Sequence, residues 1–160
     1  MAMKMSVQGD RQRPLRLSNG GKQGVRTQFG ALCWRRRGDE IQVLLVTSRR
    51  RKRWIIPKGW PQDRATPVKA AVMEAWEEAG VEGKAKAKCL GIFSYDKFVT
   101  ARQVAPCVVA IFPMRVKKLR RDFPEASQRK RKWFSLAKAA TLVSEPELAA
   151  IIRGFDPANV

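Results

Sequence analysis

One stretch constrains this chain more than any other: Trp54 to Gly83, WIIPKGWPQDRATPVKAAVMEAWEEAGVEG. Its second half carries carboxylates at Glu74, Glu77 and Glu78. The spacing i, i+3 and i+4 places them on one face of a helix. At about 100° per residue, Val68, Val72, Ala75, Trp76 and Ala79 fall on the opposite side and read as a core face. The helix has a start and a stop. Thr66 suits the N-cap, Pro67 the first turn, and Gly80 the left-handed position just past the end.

Carboxylates crowded into one turn repel one another. In water each like-charge pair costs only about a few tenths of a kcal/mol. Restricted solvent raises that cost, and protons or a cation must then compensate. A hard divalent cation such as Mg2+ fits, because it takes carboxylate oxygens and keeps several waters. A solvated acidic face explains the spacing equally well by itself. The preceding loop narrows the choice: Ile55-Ile56-Pro57-Lys58-Gly59 is an apolar strand end followed by a glycine turn that feeds the acidic helix. The chain contains no histidine. Ser-His-Asp and Cys-His catalysis are therefore excluded, as is any histidine metal site. A carboxylate or a lysine must serve as general base, and oxygen ligands must hold any metal.

This arrangement resembles the Nudix box. That family pattern reads Gly, five residues, Glu, seven residues, Arg-Glu-U-x-Glu-Glu-x-Gly-U, with U a bulky aliphatic residue. Gly59, Glu74, Glu77, Glu78, Gly80 and Val81 fall in register. Ala65 stands where the first Glu is expected, Met73 where the Arg is expected, and Ala75 is small for its slot. Without the Arg, the metal or a Lys or Arg from elsewhere must neutralise and orient the carboxylates. The resemblance extends from about residue 27 to 153, through Ala31 to Trp34, Val43 to Val46, Arg53-Trp54, Gly91 to Phe93 and Arg129 to Phe134. It is to the branch that acts on diphosphoinositol polyphosphates and diadenosine polyphosphates, in its bacterial form.

The resemblance implies an α/β fold, a mixed sheet in an α/β/α sandwich. It implies Mg2+ or Mn2+ held by Glu74, Glu78 and the backbone carbonyl of Lys58, with Glu77 as the base. Gly59 and Gly80 are the structural glycines of the box. Arg49 and Arg53 match basic positions of the branch and are expected to hold substrate phosphates, with Lys58 and Lys97 as further cations. Arg129 and Arg131 are phosphate candidates from the late basic run. Lys132 stands where an acid is usual, so no fourth carboxylate ligand is expected there.

Composition bounds the partners. The net charge is +19, from 33 Lys and Arg against 14 Asp and Glu. Such a chain attracts polyanions: inositol polyphosphates, dinucleoside polyphosphates, nucleic acid. No apolar run approaches the ~20 residues that span a membrane. Cys33, Cys89 and Cys107 are scattered among apolar runs and are expected as buried free thiols in a reducing, cytoplasmic setting.

Along the chain, residues 1–24 read as a flexible basic arm, 25–155 as the domain and 156–160 as a tail. Strands are expected at 27–34 and 41–48 around a polar turn. A wet-faced strand is expected from Lys84 through Phe93, then a polar loop at 96–102. Val104 to Val116 reads as a strand in which Pro106 and Pro113 imply edges or bulges. Ser135 caps a helix through Leu142, and Ser144-x-x-Glu147 reads as a capping box for a last helix. The expected activity is metal-assisted hydrolysis of a phosphoanhydride. The alternatives are a polyanion-binding module on a weakened scaffold and removal of pyrophosphate from an RNA 5′ end.

Overall fold

A computed structural model describes residues 5–8, 12–15 and 25–160. The remaining residues of the expected arm lie outside the described ones. The strands are β1 (Met5–Gln8), β2 (Arg26–Arg37), β3 (Glu40–Thr47), β4 (Trp54–Ile55), β5 (Lys58–Gly59), β6 (Val81–Lys86), β7 (Gly91–Phe98), β8 (Val104–Leu119) and β9 (Arg131–Ser135). The helices are α1 (Pro67–Ala79), α2 (Leu136–Leu142) and α3 (Pro146–Arg153), followed by a short 3-10 turn at Pro157–Asn159.

The described strands form one mixed sheet in the order β1-β6-β8-β2-β3-β4, with β5 on β2, β7 on β8 and β9 on β3. The parallel pairing of β2 with β8 lies at its centre. Side chains alternate across that sheet, and the alternation sorts the core into two layers. Phe29, Ala31, Cys33, Leu44 and Val46 pack with Val68, Val72, Ala75 and Ala79 of α1. Leu32, Trp34, Val43 and Leu45 face the other way, onto Ala139, Ala140, Leu148 and Ile152 of α2 and α3. The result is the expected sandwich, with helices on both faces of a mixed sheet.

Local signals around α1 hold. Thr66 Oγ1 accepts from the Lys69 amide, and Gly80 closes the helix at φ 64° with its N–H turned back to Ala75 and Trp76. Ser135 caps α2 through Lys138.

Several expectations need correction. The first hairpin turns only at Gly38-Asp39, because Arg35 to Arg37 stay paired with Glu40 to Gln42. The expected strand from Lys84 to Phe93 is two strands, broken between Lys86 and Gly91. Asp96 to Phe98 belong to β7 and not to a loop. The two prolines lie in a central strand but at the ends of ladders. Pro106 precedes the first β2 pairing at Cys107, and Pro113 falls where the other neighbour of β8 changes from β7 to β6. A missing N–H is tolerated at such a junction. Ser144 does not cap α3: its N-cap is Glu145 without a side-chain bond, and Pro146 occupies the first turn. Cys89 is exposed, whereas Cys33 and Cys107 are buried, and all three are free. Part of the arm is built onto the domain. Met5–Gln8 add a parallel edge strand to β6, and Gln12 accepts from the Val68 amide while donating to Ala87 O. Among the described residues, no helix is long and apolar enough to cross a membrane.

Candidate active site

Helix α1 carries its acidic face along one wall of a cleft of about 380 Å3. Glu74, Glu77 and Glu78 line it, together with Gln28, Arg49, Lys58, Gly59, Trp60, Gln62, Lys97, Glu125 and Arg129. Unlike a solvated helix face, this one is largely withdrawn from water: Glu74 is 7% exposed and Glu78 6%. Glu74 packs so tightly on β5 that a Cβ at Gly59 would overlap its carboxylate. Any larger residue there would push the Glu74 carboxylate out of this position, which gives the glycine of the motif a steric reason.

Burial has an electrostatic consequence. The Glu74 carboxyl is pushed up to about 7 by desolvation and by repulsion from Glu78, Glu77 and Glu125, against a hydrogen bond from Gln62. Glu78 is also raised to about 7 by desolvation, although Arg129 and Lys58 pull the other way. Both shifts come first from desolvation, the cost that a bound cation would offset. The carboxylate oxygens are hard donors, and neither cysteine nor histidine competes. The donor chemistry therefore fits a Mg2+-like cation. Among the described residues, however, no three acidic, cysteine or histidine side chains converge at ligating distance. Glu78 is instead turned to protein partners. Its Oε2 accepts from the Lys58 amide at 3.3 Å, and its Oε1 lies 3.3 Å from Arg129 Nη2.

The structure distributes the expected cations unequally. Arg49 and Lys97 line the cleft. Lys58 does too, with its ammonium over the Tyr95 ring at 4.9 Å, and burial lowers its pKa against the pull of Glu78. Arg53 is exposed and does not line the cleft. Arg131 turns away, donating from Nη1 to Ala79 O at the end of α1 and lying 5.0 Å over Phe123. Arg129 reaches the cleft but is committed. Its Nη1 donates to Thr47 O at 3.0 Å, and its Nη2 is shared between Glu78 and Glu125, each at 3.3 Å. Its side chain is 7% exposed. It reaches Glu78 from the loop before β9, whereas Met73 of α1 carries no charge.

A family model for the NUDIX domain matches residues 25–155. The chain belongs to the Nudix hydrolase family. It is 32% identical over 119 residues to diphosphoinositol polyphosphate phosphohydrolase 3-alpha of Mus musculus, covering 73% of this chain and 68% of that protein. Among solved structures it resembles the Ap4A hydrolase of C. elegans, with TM-score 0.58 at 18% identity over 81% of this chain and 95% of that one. It also resembles the dihydroneopterin triphosphate pyrophosphohydrolase of E. coli, with TM-score 0.62 at 18% identity over 84% and 96%. At those identities the structural likeness speaks for the fold.

Among the residues of this Nudix cleft not singled out from the sequence, Glu125 and Trp60 matter most to its chemistry. Glu125 adds a fourth carboxylate, tied to α1 by its amide donating to Glu77 O at 3.0 Å. Nothing in its spacing signals this, since it sits in what reads as a chain break far from the helix. Trp60 follows the motif glycine directly and stands at the cleft wall. Its adjacency to Gly59 was the available signal.

Proposed function

We propose that this Nudix hydrolase cleaves a phosphoanhydride bond in a highly anionic substrate, a diphosphoinositol polyphosphate or a diadenosine polyphosphate. One observation supports the reading above all: a single cleft sets three helix carboxylates against Arg49, Lys58 and Lys97. A polyphosphate fits between such walls, because the cations neutralise charge that grows on its oxygens as the bond breaks.

Glu74, Glu78 and the Lys58 carbonyl would hold Mg2+ or Mn2+. When bound, such a cation polarises phosphate oxygens and lowers the pKa of a coordinated water. The residues of the chain do the rest. Glu77 accepts the proton of the attacking water. The water oxygen bonds to phosphorus, the anhydride P–O bond breaks, and its electron pair leaves with the departing phosphate. Arg129 keeps Glu78 aimed into the cleft, and Gly59 lets Glu74 lie flat against β5.

The test separates and quantifies all products, nucleotides, orthophosphate and pyrophosphate alike, formed with Mg2+ or Mn2+ from diadenosine penta- and hexaphosphate, a diphosphoinositol polyphosphate, nucleoside triphosphates and 5′-triphosphate RNA. The expected result is turnover of one of the first two classes, lost by more than about 100-fold in Glu77→Gln. Turnover confined to RNA would make the protein an RNA 5′-pyrophosphohydrolase. A second reading draws on the Glu78–Arg129 pairing and the net charge of +19: a polyanion-binding module on a weakened Nudix scaffold. It predicts no turnover, with binding that ignores both Mg2+ and Glu77→Gln and weakens steeply with salt.

A further inference from the structure

Of the five tryptophans, Trp60 alone is in the exposed class, at 36%, and it packs into neither core layer. It stands on the cleft wall beside the carboxylates. Two cations lie over its ring: Lys97 Nζ is 4.7 Å from the ring centroid and the Arg26 guanidinium 5.8 Å. A large aromatic ring outside both core layers, at the wall of a charged cleft, has one obvious chemical use. It presents a π-face to something flat.

We propose that Trp60 is a stacking platform for the nucleobase of a base-linked polyphosphate, with Lys97 as its paired phosphate cation. This deepens the hydrolase reading and rests on it for the site, since it names which anionic class the cleft takes. Lys97 lines the same cleft as Trp60 and the carboxylates. A cation on an exposed ring is held weakly, whereas a base stacked on an aromatic side chain is held more strongly. An arriving polyphosphate draws Lys97 off the ring toward its own charge, and the base takes the vacated face. An inositol ring has no π-face and gains nothing from Trp60. Two sources carry the shared chemistry, a dinucleoside polyphosphate and the 5′ end of a triphosphorylated RNA.

The experiment compares two probes that differ by the nucleoside: ATP and inorganic tripolyphosphate. Equilibrium binding is measured by calorimetry for the wild type, Trp60→Ala, Trp60→Phe and Phe98→Ala. Phe98 is a control: it is 54% exposed, carries its own cation (Arg51 at 4.7 Å) and does not line the cleft. The wild type should prefer ATP by about 10-fold or more, although tripolyphosphate carries the larger charge. Trp60→Ala should bring that ratio close to one, Trp60→Phe should keep most of it, and Phe98→Ala should leave it unchanged. A wild-type ratio of one overturns the proposal. So does a ratio that survives Trp60→Ala or falls equally in Phe98→Ala. Competition by diadenosine pentaphosphate and by a triphosphorylated RNA oligonucleotide then assigns the source by which of them loses more affinity in Trp60→Ala. Binding is read without turnover, so the two ideas fail separately. A preference for ATP in a protein that hydrolyses nothing sinks the hydrolase reading alone, and hydrolysis with a ratio of one sinks the platform alone.

Discussion

Two arginine-rich runs look alike in the sequence and do opposite work in the fold. Arg49 to Arg53 lies between β3 and β4, and its side chains are exposed. Arg129 to Lys132 leads into β9, and its arginines are spent on the protein itself. Arg129 joins the end of β3, the 122–128 loop and α1 through Thr47 O, Glu125 and Glu78. Arg131 closes the end of α1 at Ala79 O. The same residue type is thus a solvated charge in one run and an internal fastener in the other. What decides is whether an acidic or carbonyl group faces it across the sheet.

The comparison breaks most readily at Arg129. Replacing it by Met leaves Glu78 buried beside Glu74 and Glu125 without its ion-pair partner, with only the more distant charge of Lys58 to offset it. Removing one partner of a buried pair costs about 3 kcal/mol or more. The melting temperature should then fall by roughly 6–12 °C for a chain of this size. Arg129→Lys should recover part of that loss but not all, since an ammonium cannot reproduce the fork between two carboxylates. A Met variant that melts with the wild type would show that Arg129 is an idle charge like those of the first run.

A pH titration sharpens the same point. Glu74 and Glu78 are raised from 4.5 to about 7 in the folded chain. Between those values the folded state binds more protons than the unfolded one. Stability is therefore fullest below about pH 4.5 as far as these two groups go, and declines as pH rises through about 7. Thermal melts of the metal-free protein should show that downward slope, and Mg2+ should flatten it by binding the ionised pair. In Arg129→Met the decline should extend to higher pH, because only Lys58 is left to oppose the effect of burial at Glu78. A melting temperature flat from pH 5 to 8 would contradict the burial of these carboxylates.

Arg131→Ala should have a smaller effect. It removes one charged hydrogen bond at the end of α1 and the ring contact with Phe123, together worth about 1–2 kcal/mol. No change in KM is expected, since Arg131 does not line the cleft. A rise in KM with unchanged stability would return Arg131 to the phosphate-binding group.

These contrasts also mark what could be read in advance. Helix α1 was legible because periodicity, cap and stop all agree within thirteen residues. The carboxylate face was legible because i, i+3 and i+4 are local relations. The sandwich was legible through the family resemblance, since the apolar runs of β2 and β3 do not by themselves say which residue faces which layer. What failed was non-local. Glu125 joins the cleft through a backbone bond to Glu77, and no spacing records that closure. Arg129 and Arg131 looked like phosphate ligands because basic residues carry no sign of what they will face. The strand break after Lys86 was hidden because alternating Lys and Ala looks the same whether or not the ladder continues.

The smallest expected effects come from within the exposed run, and they separate Arg49 from Arg53. Arg49 lines the cleft, and its side chain is 61% exposed, with only a loose contact to Glu125 at 3.6 Å. That pair contributes little to stability, so Arg49→Ala should melt with the wild type. The guanidinium is instead free to meet an incoming phosphate, and its loss should raise KM by about 5-fold, the equivalent of roughly 1 kcal/mol. Arg53 stands in the same run but off the cleft wall, held through its backbone: its amide donates to Ser48 Oγ at 3.0 Å and its carbonyl accepts from the Ser48 amide at 2.7 Å. Arg53→Ala should change KM by less than about 2-fold. The gap between the two should persist at about 1 M salt, where the screening length is only about 3 Å. A direct contact survives screening at that length, whereas an effect of overall charge does not. If both variants raise KM equally at low salt and neither does at high salt, the run acts as a diffuse charge, and place within it carries no meaning.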